Sequence, residues 1–180
     1  MRVIAGKYRG KKLKEFSLQS TKPTLDRVKE SLFSSIQFDL IGARVLDLFA
    51  GTGALGIESI SRGAKQVDFV DSNAEAIKII NENLKNIEGE YSVTKSDFLN
   101  FLNRVKVCGG QYDIVLLDPP FATDLGIKAI QFILENDLLS QNGIIMYERL
   151  YTPDFSLEYK NVKYEQRKYG TVGVVKIIKI

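Results

Sequence analysis

The sequence predicts an α/β fold built on one mostly parallel sheet. From about residue 44 onward, apolar runs of strand length alternate with stretches of helical period, which is typical of repeated β-α-β units. The short turn Tyr169-Gly170-Thr171 separates two further strand-like runs, and a turn this short joins only antiparallel strands. We therefore expect seven strands, helices on both faces of the sheet and a C-terminal antiparallel hairpin.

The elements are predicted in order along the chain. Arg2 to Lys14, with turn residues Gly6 and Gly10, should form a small N-terminal β-hairpin. Thr24 is placed to cap a helix that runs to about Ile36. Five strands are then expected over 44–48, 67–70, 91–94, 113–117 and 144–147, with helices over 54–62, 74–87, 98–107 and 125–135, before the hairpin within 162–180.

Positive charge is concentrated at the start of the chain. Residues 1–30 hold nine Lys or Arg against three acids, whereas the whole chain has a net charge of +3. Such asymmetry indicates that the amino-terminal part faces a polyanion. We predict a basic binding appendage over residues 1–40 and an enzymatic domain over residues 41–180.

Composition excludes several kinds of site. The chain has no histidine and a single cysteine, Cys108, so histidine bases, internal disulfides and the common zinc sites are excluded, and no metal is expected. No N-terminal apolar segment resembles a signal peptide or could span a bilayer. The protein is expected to be soluble and cytoplasmic.

A glycine turn predicts a nucleoside-type ligand. Gly51-Thr52-Gly53-Ala54-Leu55-Gly56 follows a strand and opens a helix, and Asp71 ends the next strand. NAD and S-adenosylmethionine (SAM) both suit this pattern. Asp47, just before the turn, favours SAM, because its carboxylate could meet the amino group of a methionine moiety but would repel a pyrophosphate.

The other SAM contacts are predicted from the same rim of the sheet. Asp71 is expected to accept hydrogen bonds from the ribose hydroxyls, and Asp97 from the adenine amine, with Phe98 lining the ring. Asp97 could equally cap the helix that follows it, and the two roles are compatible.

Asp118-Pro119-Pro120-Phe121 is the candidate catalytic motif. It lies at the carboxyl end of a central strand, where open α/β sheets bind ligands. Asp118 and the Pro119 carbonyl could accept both hydrogens of a planar amine and aim its lone pair, while Phe121 stacks on the base. The segment by itself predicts methylation of a planar amine, and the basic amino-terminal part indicates that this amine belongs to a nucleic-acid base.

The chain closely resembles the RsmD family of 16S ribosomal RNA guanine-N2 methyltransferases. The resemblance covers nearly the whole chain and rests on the segments RVIAGKYRGKKL, KPTLDRVKESLF, DLFAGTGALGIES, LLDPPF, IIMYE and KYGTVGVVKI. It implies a Rossmann-like, SAM-dependent methyltransferase sheet with an amino-terminal hairpin and helix that help to hold RNA. Its expected substrate is ribosomal RNA or the small-subunit particle, and we expect a monomer.

The resemblance also implies roles for residues by position. It assigns catalysis to Asp118, Pro119, Pro120 and Phe121, and SAM binding to Asp47, Phe49, Ala50, Gly51, Thr52, Gly53, Asp71, Ser72, Asp97 and Phe98. It places substrate binding at Arg9, Lys22, Thr24, Arg27 and Glu30. Lys22 departs from the usual Arg, so a point charge replaces a bidentate fork there.

Four other functions remain open. The DPPF motif also suits N6-adenine methylation of DNA or RNA, and amide methylation of a protein. A non-catalytic RNA-binding module with a vestigial cofactor pocket is a further hypothesis, and a dehydrogenase that binds NAD is the fourth class to test.

Overall fold

A seven-stranded sheet forms the centre of the molecule in the computed structural model, which describes residues 1–16, 23–121 and 123–180. The strand order is β3-β2-β1-β4-β5-β7-β6. Neighbours among β1 to β5 are parallel, and β7 is antiparallel to both β5 and β6. The elements are α1 (Pro23–Ser34), β1 (Arg44–Leu48), α2 (Ala54–Ser61), β2 (Gln66–Asp71), α3 (Ala74–Asn83), β3 (Glu90–Lys95), α4 (Phe98–Val107), β4 (Tyr112–Leu117), α5 (Leu125–Glu135), β5 (Leu139–Leu150), β6 (Val162–Tyr169) and β7 (Val172–Lys179).

The predicted α/β class, strand count and C-terminal antiparallel hairpin are confirmed. Central strands β1 and β4 are buried over nearly their whole length, as expected when helices cover both faces of a parallel sheet. One apolar cluster joins α1, α2 and α3 to one face, and a second joins α4 and α5 to the other. Within the described ranges, no helix is long and apolar enough to cross a membrane.

Three predicted boundaries are wrong. Helix α1 begins at Pro23, so Thr24 lies in its first turn and not at the cap; proline suits the first helical position because its fixed φ is helical and its missing N–H has no partner there. Helix α3 ends at Asn83, short of residue 87, and Asn86 adopts a left-handed φ of 62°. Strand β5 is longer than predicted, because Leu139 pairs with Tyr112 of β4 at one end and residues 148–150 pair with β7 at the other.

The amino-terminal segment is a hairpin-like loop lying against α2. An antiparallel bridge joins Arg2 to Lys12, and the backbone N–H of Val3 donates to the Lys11 carbonyl at 3.0 Å. Beyond it, α1 buries Val28 and Phe33 in the core shared with the sheet. The amino-terminal elements therefore pack on the sheet, and the boundary at residue 40 stays a prediction.

Glu58 of α2 connects the amino-terminal loop to the rest of the protein. Its side chain is fully buried and accepts hydrogen bonds from the backbone N–H groups of Ile4 at 2.8 Å and Ala5 at 3.0 Å. Arg62 lies 2.8 Å from this carboxylate and Lys29 of α1 lies 3.4 Å from it. Lys29 also donates to the Arg2 carbonyl at 2.6 Å. One buried carboxylate thus holds the loop, α1 and α2 together.

Glu58→Gln should destabilise the protein by about 3 kcal/mol, because it leaves the buried cations Lys29 and Arg62 without their counter-charge. Urea unfolding measures the effect. Glu90→Gln is the matched control, since Glu90 is exposed at the start of β3, and its free energy of unfolding should stay within about 0.5 kcal/mol of wild type. Equal losses in the two variants would contradict the role of Glu58.

Candidate active site

A cavity of about 640 Å³ opens at the carboxyl ends of β1, β2, β4 and β5. This is the rim at which open α/β sheets bind ligands, and the volume lies in the range of small-molecule sites. All four residues of the DPPF segment line it, as do the predicted cofactor residues apart from Gly53: Asp47, Phe49, Ala50, Gly51, Thr52, Asp71, Ser72, Asp97 and Phe98. The structure therefore brings the two predicted groups into one cavity.

The glycine turn has backbone conformations that favour glycine. Gly51 and Gly53 have φ values of 55° and 77°, in the left-handed region. A Cβ added at Gly51 would have 4.0 Å to its nearest neighbour, so the face of the turn is open to a ligand. Phe49 also has a positive φ, 69°, which is uncommon for a bulky residue and typical of functional sites.

Gly56, the third glycine of the pattern, has a packing role. A Cβ there would lie 2.2 Å from the ring of Phe69, so only glycine lets α2 approach β2 this closely. Its backbone N–H donates to the Asp47 carboxyl at 2.8 Å. Gly56 thereby fixes both the helix and the orientation of Asp47.

Asp47 is 1% exposed at the base of the cavity. Burial raises its pKa to about 8, against the hydrogen bond from Gly56 and with added repulsion from Asp118 and Asp71. A cationic group in the cavity would favour the ionised form of Asp47. That Asp47 faces the amino group of a methionine moiety stays a prediction.

Asp71, which was predicted to bind the ribose hydroxyls, is held in place by two backbone N–H groups. Its Oδ2 accepts from the Gly51 N–H and its Oδ1 from the Asn73 N–H, each at 2.8 Å. Every carboxylate oxygen can accept a second hydrogen bond, so both remain available to ligand hydroxyls.

Asp97 caps α4, which was one of its two predicted roles. Its side chain accepts from the backbone N–H groups of Leu99 at 2.9 Å and Asn100 at 3.3 Å. The ring of Phe98 lies 5.4 Å from the ring of Phe49, centroid to centroid, and the two form an aromatic wall of the cavity.

The DPPF segment ends β4 and turns toward α5. The Pro120 carbonyl accepts hydrogen bonds from Thr123, whereas no described residue donates to the Pro119 carbonyl. Solvent reaches the Asp118 side chain from the cavity, but the dense protein around it raises its pKa to about 6. Two acceptors are therefore available where the sequence predicted them.

Glu148, a third carboxyl of the cavity, was not predicted from the sequence. It lies on β5, is 7% exposed, and its pKa is raised well above the usual value by burial and by repulsion from Asp118 and Asp47. In the sheet, Leu117 pairs with Tyr147, so Asp118 and Glu148 are the next residues of adjacent strands. An acid directly after the fifth predicted strand was the available signal.

The residues predicted to bind substrate do not line the cavity where the structure describes them. Arg9, Arg27 and Glu30 are exposed and do not line the cavity; on α1, Asp26 and Lys29 line it instead. Lys22 and the side chain of Thr24 lie outside the described part of the chain. All five substrate assignments stay predictions.

The residues present fit SAM. An open glycine turn, a carboxylate for the ribose, an aromatic wall and a buried carboxyl for an amino group match its parts in one cavity of suitable size. Among the described residues, no group of three or more His, Cys, Asp and Glu has the arrangement of a metal site.

Comparison with known proteins gives consistent matches over most of the chain. The family described as conserved hypothetical protein 95 matches residues 1–178. The chain is 36% identical to ribosomal RNA small subunit methyltransferase D of Haemophilus influenzae, over 82% of this chain and 78% of that protein. It is 33% identical to the protein of the same name from Escherichia coli K12, over 82% and 74% of the two chains.

Solved structures of similar proteins have the same fold as this chain. A candidate methyltransferase from Escherichia coli superposes with a TM-score of 0.88 at 29% identity, covering 99% of this chain and 97% of that one. A candidate methylase from Haemophilus influenzae gives a TM-score of 0.80 at 31% identity, covering 99% and 98%.

Asp47→Asn should change how stability depends on pH. The folded-state pKa of Asp47 is about 8 against an ordinary 3.8, so its contribution to stability is complete below pH 3.8 and is lost as the pH rises toward 8. From pH 4.5 to 7.5, the wild-type free energy of unfolding should fall by at least about 1.4 kcal/mol more than that of the variant. Urea unfolding without ligand measures this, and parallel pH profiles would rule the assignment out.

Proposed function

This chain belongs to the family described as conserved hypothetical protein 95 and is a SAM-dependent methyltransferase, and we propose that it methylates the exocyclic N2 amine of a guanine in 16S ribosomal RNA. The observation that carries the proposal is the pair of acceptors, Asp118 and the Pro119 carbonyl, at the rim of a cavity that fits SAM. The choice of small-subunit ribosomal RNA as the substrate is based on the names of the relatives. The choice of guanine as the target base is based on the family resemblance and remains our proposal.

Asp118 and Pro119 prepare the amine. The lone pair of a base amine is delocalised into the ring, which makes the nitrogen a poor nucleophile. Hydrogen bonds from its two N–H groups to the Asp118 carboxyl and the Pro119 carbonyl favour a tetrahedral nitrogen and fix the direction of the lone pair. Proline at position 120 brings no N–H donor that would compete for these acceptors.

Asp118 also receives the proton. The nitrogen loses one proton when it is methylated, and a carboxyl with a pKa of about 6 accepts a proton near neutral pH more readily than an ordinary aspartate. When bound, SAM supplies a methyl group on a positively charged sulfur, which leaves as a neutral thioether.

The remaining residues hold the two ligands. Asp47, Asp71, Asp97 and the turn at Gly51–Gly53 would hold SAM, while Phe98 lines the ring of its adenine. Phe121 is 40% exposed at the mouth of the cavity, where its ring can stack on a base at a gain of roughly 1–3 kcal/mol.

The basic amino-terminal loop supports an RNA substrate. Arg9 and Lys12 are exposed on it, as are Lys7 and Lys14, which pair with Glu88 and Glu82 at 2.6 Å. Glu58 fixes the loop against the domain that carries the cavity. Exposed cations attract a phosphate backbone without sequence preference. An enzyme of this specificity works where ribosomes assemble, so a cytoplasmic monomer that acts on small-subunit RNA or its particle remains our prediction.

Asp118→Asn should lower methyl transfer from tritiated SAM to small-subunit particles at least about 100-fold, because the amide cannot take the amine proton. SAM affinity by calorimetry should remain within a few-fold of wild type. Asp154→Asn, a change of an exposed aspartate outside the cavity lining, is the control and should keep full activity. An active Asp118→Asn enzyme would sink the catalytic assignment.

Nucleoside chromatography of the digested product distinguishes the alternatives. N2-methylguanosine is expected, whereas N6-methyladenosine or label in protein would establish one of the other amino-methyltransferase functions. A non-catalytic RNA-binding module predicts no SAM binding at all, and a dehydrogenase predicts NAD binding in the same calorimeter.

Arg9→Ala and Arg27→Ala should each weaken RNA binding across sequences and lower the slope of log affinity against log salt by about 1, as for one lost phosphate contact. Filter binding at several salt concentrations measures both effects. Lys106→Ala removes an exposed cation from α4, on the face of the sheet opposite α1, and should change neither. Equal effects in all three variants would show only a general charge effect.

A further inference from the structure

Glu148 is a buried acceptor that opens onto the cavity beside the DPPF segment. It is 7% exposed, and no described residue donates a hydrogen bond to its carboxyl. Lys29 is nearby, but its Nζ donates to the Arg2 carbonyl and pairs with Glu58. Its carboxyl oxygens reach the cavity, so they are available to accept hydrogen bonds from a ligand that supplies N–H donors at this point.

The sheet places Glu148 next to Asp118. Leu117 of β4 pairs with Tyr147 of β5, and the two acids are the next residues of these parallel strands. Adjacent strands are about 4.8 Å apart, and carboxyls from them can address neighbouring donors on one edge of a ring. The two side chains therefore form a pair of acceptors at one side of the cavity.

The carboxyls of the cavity also restrict which ligand groups can lie beside Glu148. Asp47 lines the same cavity, and both Asp47 and Asp118 raise the pKa of Glu148 in addition to the effect of burial. A ligand that presents another acceptor toward Glu148 would be repelled by its ionised form. A ligand that presents an N–H would stabilise that form.

Guanine alone among the amino bases presents two neighbouring donors on its Watson–Crick edge, the N1–H and the N2 amine. Adenine and cytosine each present an amine beside a ring nitrogen that is an acceptor. Enzymes that modify a base commonly identify it by hydrogen bonds to this edge. Two side-by-side carboxyls in their ionised form match guanine and oppose the other two bases.

We propose that Glu148 accepts the N1–H of the target guanine while Asp118 and the Pro119 carbonyl hold its N2 amine. Glu148 is then the residue that selects guanine over other amino bases. This inference rests on the proposed function and adds to it the means of choosing the base.

A base analogue tests the contact. 2-Aminopurine keeps the N2 amine but has an acceptor in place of the N1–H. Once the methylated position is mapped, ligated small-subunit RNA carries guanosine or 2-aminopurine riboside there, and kcat/KM is measured for both. The wild type should prefer guanine by about 100-fold or more, because a site built for a hydrogen bond rejects an analogue that lacks it.

Glu148→Gln should lower kcat/KM on guanine about 10-fold, because a neutral amide oxygen accepts the N1–H more weakly than a carboxylate, and it should reduce the preference for guanine at least about 10-fold, since its amide N–H can donate to the N1 of 2-aminopurine. Glu148→Asp keeps a carboxylate and should keep the preference at a lower rate. Glu90→Gln, the exposed control, should match wild type on both RNAs. Thermal unfolding establishes that each variant is folded.

Competition binding of the two RNAs in the presence of S-adenosylhomocysteine gives a readout besides turnover. Wild type should bind the guanine RNA more tightly, and Glu148→Gln should lose that difference. The inference is overturned if Glu148→Gln prefers guanine over 2-aminopurine as strongly as wild type does. If Glu148→Gln is unfolded, Glu148→Asp replaces it, and loss of the preference for guanine in that variant overturns the inference. If the proposed function is wrong, the wild-type enzyme makes no N2-methylguanosine, which is a different result.

Discussion

Parallel hydrogen bonding between β1, β4 and β5 is the constraint on which the site depends. Because the strands run in the same direction, their carboxyl ends meet at one rim, and the residues that end them meet there too. Asp47, Asp118 and Glu148 are far apart in sequence but line a single cavity for this reason. The burial that stabilises the central strands also removes Asp47 and Glu148 from most contact with water and raises their pKa values, and the dense protein around Asp118 raises its pKa as well.

The accumulated negative potential suits the ligands that we assign to the cavity. A sulfonium cofactor with an amino group brings positive charge, and guanine brings N–H donors, so each offsets part of the cost of ionising buried carboxyls. Without these ligands, the cost shifts Asp47 and Glu148 toward their protonated forms. Ligand binding and proton release should therefore be linked in this enzyme.

A second buried carboxylate, Glu58, holds the amino-terminal loop. It accepts backbone N–H groups from that loop and pairs with cations of α1 and α2. Because Lys29 contacts Glu58 and also lines the cavity, the proposed RNA-binding elements are in direct contact with the wall of the site. The basic loop is therefore anchored to the same core that carries the catalytic residues.

The sequence by itself determined the α/β class, the glycine turn, the DPPF segment and the family, because these depend on local periodicity and on short motifs with fixed spacing. Only the tertiary structure decided that Glu148 joins Asp118, that Asp26 and Lys29 of α1 line the cavity while Arg27 and Glu30 do not, and that Glu58 is an anchor. Strand register and helix orientation set these contacts. Both arise from packing between segments distant in sequence, which a local pattern does not encode.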